Sequence, residues 1–269
     1  MENSRTFERK ASIWRSALVQ KRVVGALLMR EVITRYGRHN IGFLWLFAEP
    51  MLFTLAVTAL WTATKSVHHS DLPIVAFAVT GYSSVLLWRN MPSRTIGALQ
   101  PNLALMYHRN VKPIDIYISR IVLEAAGASI SFVVLALVFS LVGWLDPPED
   151  LLKVIGGWLM LALFGAALAM FMGALSERSE LIEKLWHPLS YITFPLSGAA
   201  FLVDSLPKEA QQVVLLLPMV HGVEYVREGY FGSRIVAHHD LYYMGLVTAG
   251  LLVLSLAVIR DISRTVTPE

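Results

Sequence analysis

The chain reads as an all-α integral membrane protein of six transmembrane helices, and three observations predict that fold. Long runs lack any Asp, Glu, Lys or Arg. Of its 269 residues, 55% are hydrophobic and 16% charged, and the mean hydropathy is +0.54. Basic residues also alternate between dense and sparse from one connection to the next. A soluble domain of this composition would not keep its surface wet. Six spans leave no connection long enough for a second folded domain. The expected organisation is a cytoplasmic N-terminal region, 1–43, one membrane domain, 44–259, and a cytoplasmic tail, 260–269.

Ala125–Leu145, Val154–Ser176, Leu185–Val203 and Leu241–Ile259 are uncharged, and each is close to the ~20 residues that carry a helix across ~30 Å of hydrocarbon. Pro50–Thr64 and Leu72–Trp88 are shorter uncharged runs. The first reaches spanning length as Leu44–Ala63 if Glu49 sits inside the bundle or near its edge, and the second by continuing past Arg89. The expected spans are therefore 44–63, 72–91, 121–145, 154–176, 185–203 and 241–259. With Arg89 counted in the connection that follows the second span, 18 of the 23 Lys and Arg residues fall on one side and five on the other. Basic connections stay in the cytoplasm, so both termini are expected inside. An odd number of spans would divide the basic segments between the two sides. The pI near 9.2 follows from this topology, and no nucleic-acid-binding motif accompanies the charge. The first 43 residues contain no early cleavable apolar core, so the first span is expected to direct insertion. The absence of cysteine excludes disulfides, iron–sulfur clusters and thiolate zinc sites.

Residues 1–43 mix Arg5, Arg9, Lys10, Arg15, Lys21, Arg22, Arg30, Arg35 and Arg38 with Trp14, Leu18, Val24, Leu27, Leu28 and Val32. That mixture suits an amphipathic helix in the cytoplasmic interface. Glu31 and Arg35 fall near its apolar face, where a protein partner is an alternative to lipid. Between the second and third spans, Pro92, Pro101 and Pro113 punctuate a cytoplasmic segment. Asn102–Lys112 predicts a short helix that is either a docking knob or an ordinary connector. Beyond the fifth span, Gln211–Val220 is apolar but too short to cross, which predicts an interfacial or re-entrant segment lining an outer vestibule.

No GxxxxGK[ST] loop occurs, nor any Gly-Lys pair. An ATPase driving this protein would be a separate polypeptide. The HExxH, CxxC and GxSxG elements of hydrolases and redox proteins are absent as well. Glu49 and Glu124 lie at span edges, as proton or cation sites or as partners of a basic neighbour. His68-His69 and His238-His239 are adjacent pairs on loops, and adjacent residues seldom converge on a metal without further ligands. Trp45, Trp61, Trp88, Trp144 and Trp186 fall near span ends, as an aromatic belt requires. Tyr191, Phe194 and Phe201 lie along the fifth span, placed to offer ring faces to sugar C–H groups or to pack between helices. His221, Glu224 and Arg227 follow at i, i+3 and i+6, one helical face suited to a hydrogen-bonded cluster at the pore mouth or to a local ion pair.

The order of these motifs resembles the six-span permease subunits of ABC transporters that export capsular polysaccharide and O antigen, the capsule branch most closely. The resemblance is carried by Arg30-Glu31, Thr34-Arg35-Tyr36-Gly37-Arg38, Asn40-Ile41-Gly42-Phe43-Leu44-Trp45 and Glu49-Pro50. It continues through Val111-Lys112-Pro113-Ile114-Asp115, Arg120, Pro188, Tyr191, Phe194-Pro195-Leu196-Ser197-Gly198 and Leu206-Pro207, and ends in the run Pro218 to Gly232. One departure is Leu217, where the family has Asn before the proline.

The resemblance implies a homodimer enclosing one polysaccharide channel for a lipid-linked polymer in the inner membrane. It implies a dimeric cytoplasmic ABC ATPase that holds the ATP and Mg, with no cofactor bound by this chain. A periplasmic co-polymerase or adaptor and an outer-membrane polysaccharide exporter are implied as further partners. By the same resemblance Arg30, Glu31, Arg35, Tyr36 and Arg38 belong to the interface helix. Asn102, Leu103, Leu105, Met106, Tyr107, Arg109, Lys112, Pro113 and Asp115 belong to the region that engages the ATPase. Pro218, His221, Glu224 and Arg227 belong to re-entrant gate helices between spans five and six. Alternatives are an ABC exporter of O antigen, teichoic acid or lipid, and an intramembrane glycosyl or acyl transferase. The latter needs a convergent acid–base site within the bundle, which the spans do not offer. A proton-coupled carrier is disfavoured by the lack of a buried charge relay.

Overall fold

A computed structural model of the chain describes residues 13–37, 44–64, 72–107 and 111–266, and among them every regular element is a helix. In chain order these are α1 (Ile13–Tyr36), α2 (Trp45–Thr64), α3 (Ile74–Thr95), α4 (Leu103–Met106), α5 (Pro113–Leu141), α6 (Leu151–Ser176), α7 (Glu180–Leu196), α8 (Lys208–Val214), α9 (Pro218–Phe231) and α10 (Leu241–Val266). Four of them, α2, α5, α6 and α10, are long and apolar enough to cross a membrane. The other two expected spans correspond to α3, which carries Arg89 and Arg94, and to α7, which has only 17 residues.

The core is built around α3, whose residues from Ala76 to Trp88 are all buried. It packs between α2, α5, α6 and α9. Close approach needs small residues where helices have no water to expel. Gly157, Gly165 and Gly173 supply this along α6, where a Cβ would stand 2.7 Å from Val226 Cγ2, 2.8 Å from Trp88 Cα and 2.9 Å from Thr95 Cβ. The outward faces remain apolar: Leu141, Leu152 and Val253 are 87%, 80% and 67% exposed. Exposed leucine and valine in such density suit acyl chains, not water.

In α2, Pro50 sits inside the helix. Its threonines answer the demand that polar groups in lipid be satisfied internally. Thr54, Thr58 and Thr62 donate to the carbonyls of Pro50, Thr54 and Thr58 at 3.1, 2.7 and 2.7 Å. The helix α5 is the longest of those described at 29 residues, about 44 Å at ~1.5 Å per residue, which exceeds the ~30 Å of a bilayer's hydrocarbon.

Three segments differ in extent from the sequence expectation. The run expected as the fifth span, 185–203, overlaps α7, which begins at Glu180 and stops at Leu196. Pro195 and then Gly198 at φ 84° end it, because a residue with a Cβ is strained in that left-handed conformation. Asn102–Lys112 holds a four-residue helix, α4, after a single 3-10 turn at Gln100–Asn102. The apolar run Gln211–Val220 is divided: α8 ends at Val214, and Pro218 occupies the first turn of α9, where a missing N–H goes unneeded.

Candidate functional site

Two clusters of polar residues stand at opposite ends of the bundle. The first joins α1, α2, α3, α5 and the 3-10 turn before α4. Glu31 accepts from Arg35 Nε at 2.8 Å and faces Arg120 Nε at 3.2 Å. Glu124, buried on α5, pairs with Arg35 Nη1 and lies 3.3 Å from Arg94 Nε. Arg94 also approaches Glu49 at 3.7 Å, and its carbonyl accepts from Arg120 Nη1 at 2.7 Å. Glu49 and Glu124 therefore have basic partners, one of the two roles expected for them. Ion pairs removed from water need such multiple partners to offset desolvation.

This network fixes the segment before and after α4. Asn102 is buried, donates to the Ala98 carbonyl at 2.8 Å and accepts from Arg30 Nη1. Ser176 Oγ accepts from the Gly97 N–H at 3.2 Å, and Glu177 accepts from the Leu99 N–H at 3.3 Å. Burial pushes the Glu177 carboxyl above the usual carboxylate range, and Glu183 adds to the shift. In α4, Met106 points into the core and Leu105 is half-buried, whereas Leu103 and Tyr107 are exposed. Pro113 opens α5, the Lys112 N–H donates to the Asp115 carboxylate at 2.9 Å, and the Asp115 N–H returns to the Lys112 carbonyl at 2.9 Å. Asp115 is fully buried and also accepts from Gln20 of α1. It anchors helices and presents no surface. Arg109 and Arg38 lie outside the described residues, as do His68 and His69. Tyr36 is the last residue of α1.

The second cluster surrounds α9. His221, Glu224 and Arg227 share one buried face, yet their hydrogen bonds run to backbone groups of the neighbouring segments rather than to one another. His221 Nδ1 accepts from the Asp240 N–H at 2.8 Å, which leaves the proton on Nε2, 2.8 Å from the Leu215 carbonyl. Glu224 accepts from the N–H groups of Val203 and His238 at 3.3 and 3.1 Å. Arg227 donates to the carbonyls of Gly198, Ala199 and Phe201 at 2.5, 2.6 and 2.6 Å, and its guanidinium lies 3.7 Å from the Phe77 ring centre. Those carbonyls follow the end of α7, where the helix dipole favours a cation. Gly81 makes room: a Cβ there would meet Arg227 Nη2 at 2.5 Å and the Ala199 carbonyl at 2.6 Å. His238 pairs with Asp204 at 3.0 Å and His239 with Glu228 at 2.5 Å.

Of the aromatic residues, Tyr191 is exposed and Phe194 half-buried on α7, where both rings flank the Arg89 guanidinium at 5.2 and 5.4 Å. Phe194 also meets Phe53 and Tyr82, at 6.0 and 5.4 Å between ring centres. Phe201 stands apart, past the end of α7, among Val203, Val214 and Val220. Sequence reasoning missed Arg89 and Arg94 as members of these groups. Their signal was the unbalanced Glu49 and Glu124 at neighbouring span edges. Among the described residues no group of three or more His, Asp or Glu is placed to hold a metal ion. The clusters offer positioning and charge.

Residues 22–231 match the family described as ABC-2 type transporter. The chain is 42% identical to the capsule polysaccharide export inner-membrane protein CtrC of Neisseria meningitidis serogroup B, over 97% of this chain and 98% of that one. It is 41% identical to the capsule polysaccharide export inner-membrane protein BexB of Haemophilus influenzae, over 94% and 96%. The polysialic acid transport protein KpsM of Escherichia coli is 26% identical over 90% and 94%. A bundle of apolar helices with paired charges at its ends and full-length likeness to inner-membrane export proteins leads to one assignment: the chain belongs to the ABC-2 type transporter family.

Proposed function

We propose that this chain is the membrane subunit of an ABC exporter that carries lipid-linked capsular polysaccharide across the inner membrane, working as a homodimer with a separate ATPase. The single observation that carries the reading is the likeness, end to end, to capsule export proteins of two organisms. In this reading α3 and α7 complete six spans, both termini are cytoplasmic, and α8 with α9 forms the re-entrant outer gate. The exposed side chains of Leu103 and Tyr107 meet the ATPase, together with Arg109. ATP-driven closure of that partner pushes on α4 and, through Asn102, Arg30 and the Glu31–Arg120 contact, on α1 and α5. A push alters the channel only if it interacts differently with the open and closed arrangements. Tyr191 and Phe194 line the path of the polymer on the face shared with a second copy. A periplasmic adaptor and an outer-membrane exporter continue the route.

The test is deletion of the gene and complementation, with surface capsule and cell-associated polymer measured together. Polymer accumulating inside, and export restored by the intact chain, is the expected result. Capsule reaching the surface normally in the deletion strain overturns the reading. Purification in mild detergent is expected to bring a stoichiometric ABC ATPase with the chain.

A further inference from the structure

A cavity of about 320 Å³ opens between α1, the end of α3, the turn before α4 and the start of α5. Arg30, Arg35, Arg94 and Arg120 line it, with Asn102 and Thr34 beside them, and Glu31 is its one acidic lining residue among those described. Its volume matches that of about ten water molecules. The four guanidiniums are not exhausted by their partners. Each carries five N–H donors, and the contacts given above engage one or two of them on each arginine. Behind the lining, Glu124 pairs with Arg35 and Arg94 and Glu49 approaches Arg94, so four guanidiniums face three carboxylates and one positive charge is left in excess. Arg94 is 39% exposed, which keeps the cavity open to its surroundings.

We propose that this cavity is a phosphate-binding site. Planar guanidinium forks match phosphate oxygens in pairs, which a lysine ammonium does not. On the orientation proposed above, the site sits at the level of the cytoplasmic headgroups, where basic pockets between helices take anionic lipid. A phosphate can reach it as the headgroup of a lipid or as a free cytoplasmic anion. Either occupant would touch Arg30 of α1, Arg94 of α3 and the turn at Asn102 together. Occupancy therefore braces the interface helix against the segment that precedes α4.

The experiment uses the full chain in nanodiscs containing equal phosphatidylglycerol and phosphatidylcholine, with retained lipid counted by mass spectrometry after transfer to detergent. A parallel arm titrates inorganic phosphate against the thermal unfolding midpoint in detergent. The intact chain is expected to retain phosphatidylglycerol selectively, and Arg30→Gln with Arg94→Gln to lower that preference about fivefold for each arginine lost. Arg178→Gln, another loss of a basic side chain outside the cavity, is expected to leave it unchanged. A phosphate-induced rise in the midpoint that the double variant abolishes, without lipid selectivity, assigns the site to the free anion. Absence of both effects, or effects that survive in the double variant, overturns the proposal while leaving the export reading intact. If the double variant does not insert, Arg94→Gln alone supplies the same readout, since its side chain is partly exposed.

Discussion

Arg227 shows how one side chain can hold two segments of the outer cluster in register. It is fully buried and spends three hydrogen bonds on the chain that leaves α7, so its removal strands acceptors that no water replaces. Arg227→Met is expected to destabilise the folded protein by about 3 kcal/mol or more, read as a lower unfolding midpoint in detergent. Arg227→Lys keeps the charge but not the fork and should recover only part of that loss. At the other end, Glu177 gives a pH signature of definite sign. Burial raises its carboxyl pKa in the folded state, so its contribution to stability is most favourable below the unfolded carboxylate pKa and is lost as pH rises through the folded value. Glu177→Gln, which retains an acceptor for the Leu99 N–H, is thus expected to raise the unfolding midpoint at pH 8 and to leave it unchanged at pH 4. The opposite ordering would mean that the carboxylate charge itself supports the turn before α4.

At the scale of elements, α4 is the place where structure and proposed function can be separated. Leu105 is half-buried and Met106 buried, while Leu103 and Tyr107 face outwards. On the proposed function, Leu103→Asp or Tyr107→Ala should stop export with membrane insertion unaffected, checked by surface capsule staining beside membrane-fraction immunoblots. Met106→Asp should instead impair accumulation, because it buries a charge among apolar neighbours. How far these elements could be read in advance varied for physical reasons. Spans that meet lipid, such as α6 and α10, announce themselves because every side chain must be tolerable to hydrocarbon. The span expected at 72–91 corresponds to α3, which other helices surround; its solvent is protein, so Ser83, Ser84 and Arg89 are admissible there and hydropathy is a weaker guide. The outer cluster was legible as a face, through the spacing of His221, Glu224 and Arg227. Its partners were not, since Gly198, Val203 and Asp240 are backbone groups that leave no mark on composition. Likewise Asp115 looked like part of a docking surface. It is buried and bonded to Gln20, nearly a hundred residues away in sequence, a pairing that periodicity cannot reveal.

For the whole molecule, the alternating density of Lys and Arg makes a further prediction. Reporters fused to either terminus should be active only in the cytoplasm, and cysteines placed singly at Glu149 and Ser233 should label from outside in intact spheroplasts. Labelling of both positions only after lysis would reverse the orientation and remove the proposed ATPase contact from α4. Mechanical behaviour follows from a different feature, the length of α5. Prolines interrupt α2, α3 and α7, but past Pro113 in its first turn α5 runs without one to Leu141. An unbroken rod about 44 Å long behaves as a lever. Held at Asp115 and Arg120, a rotation of about 5° at that grip would carry the far end by about 3 Å, close to the rise of two helical residues.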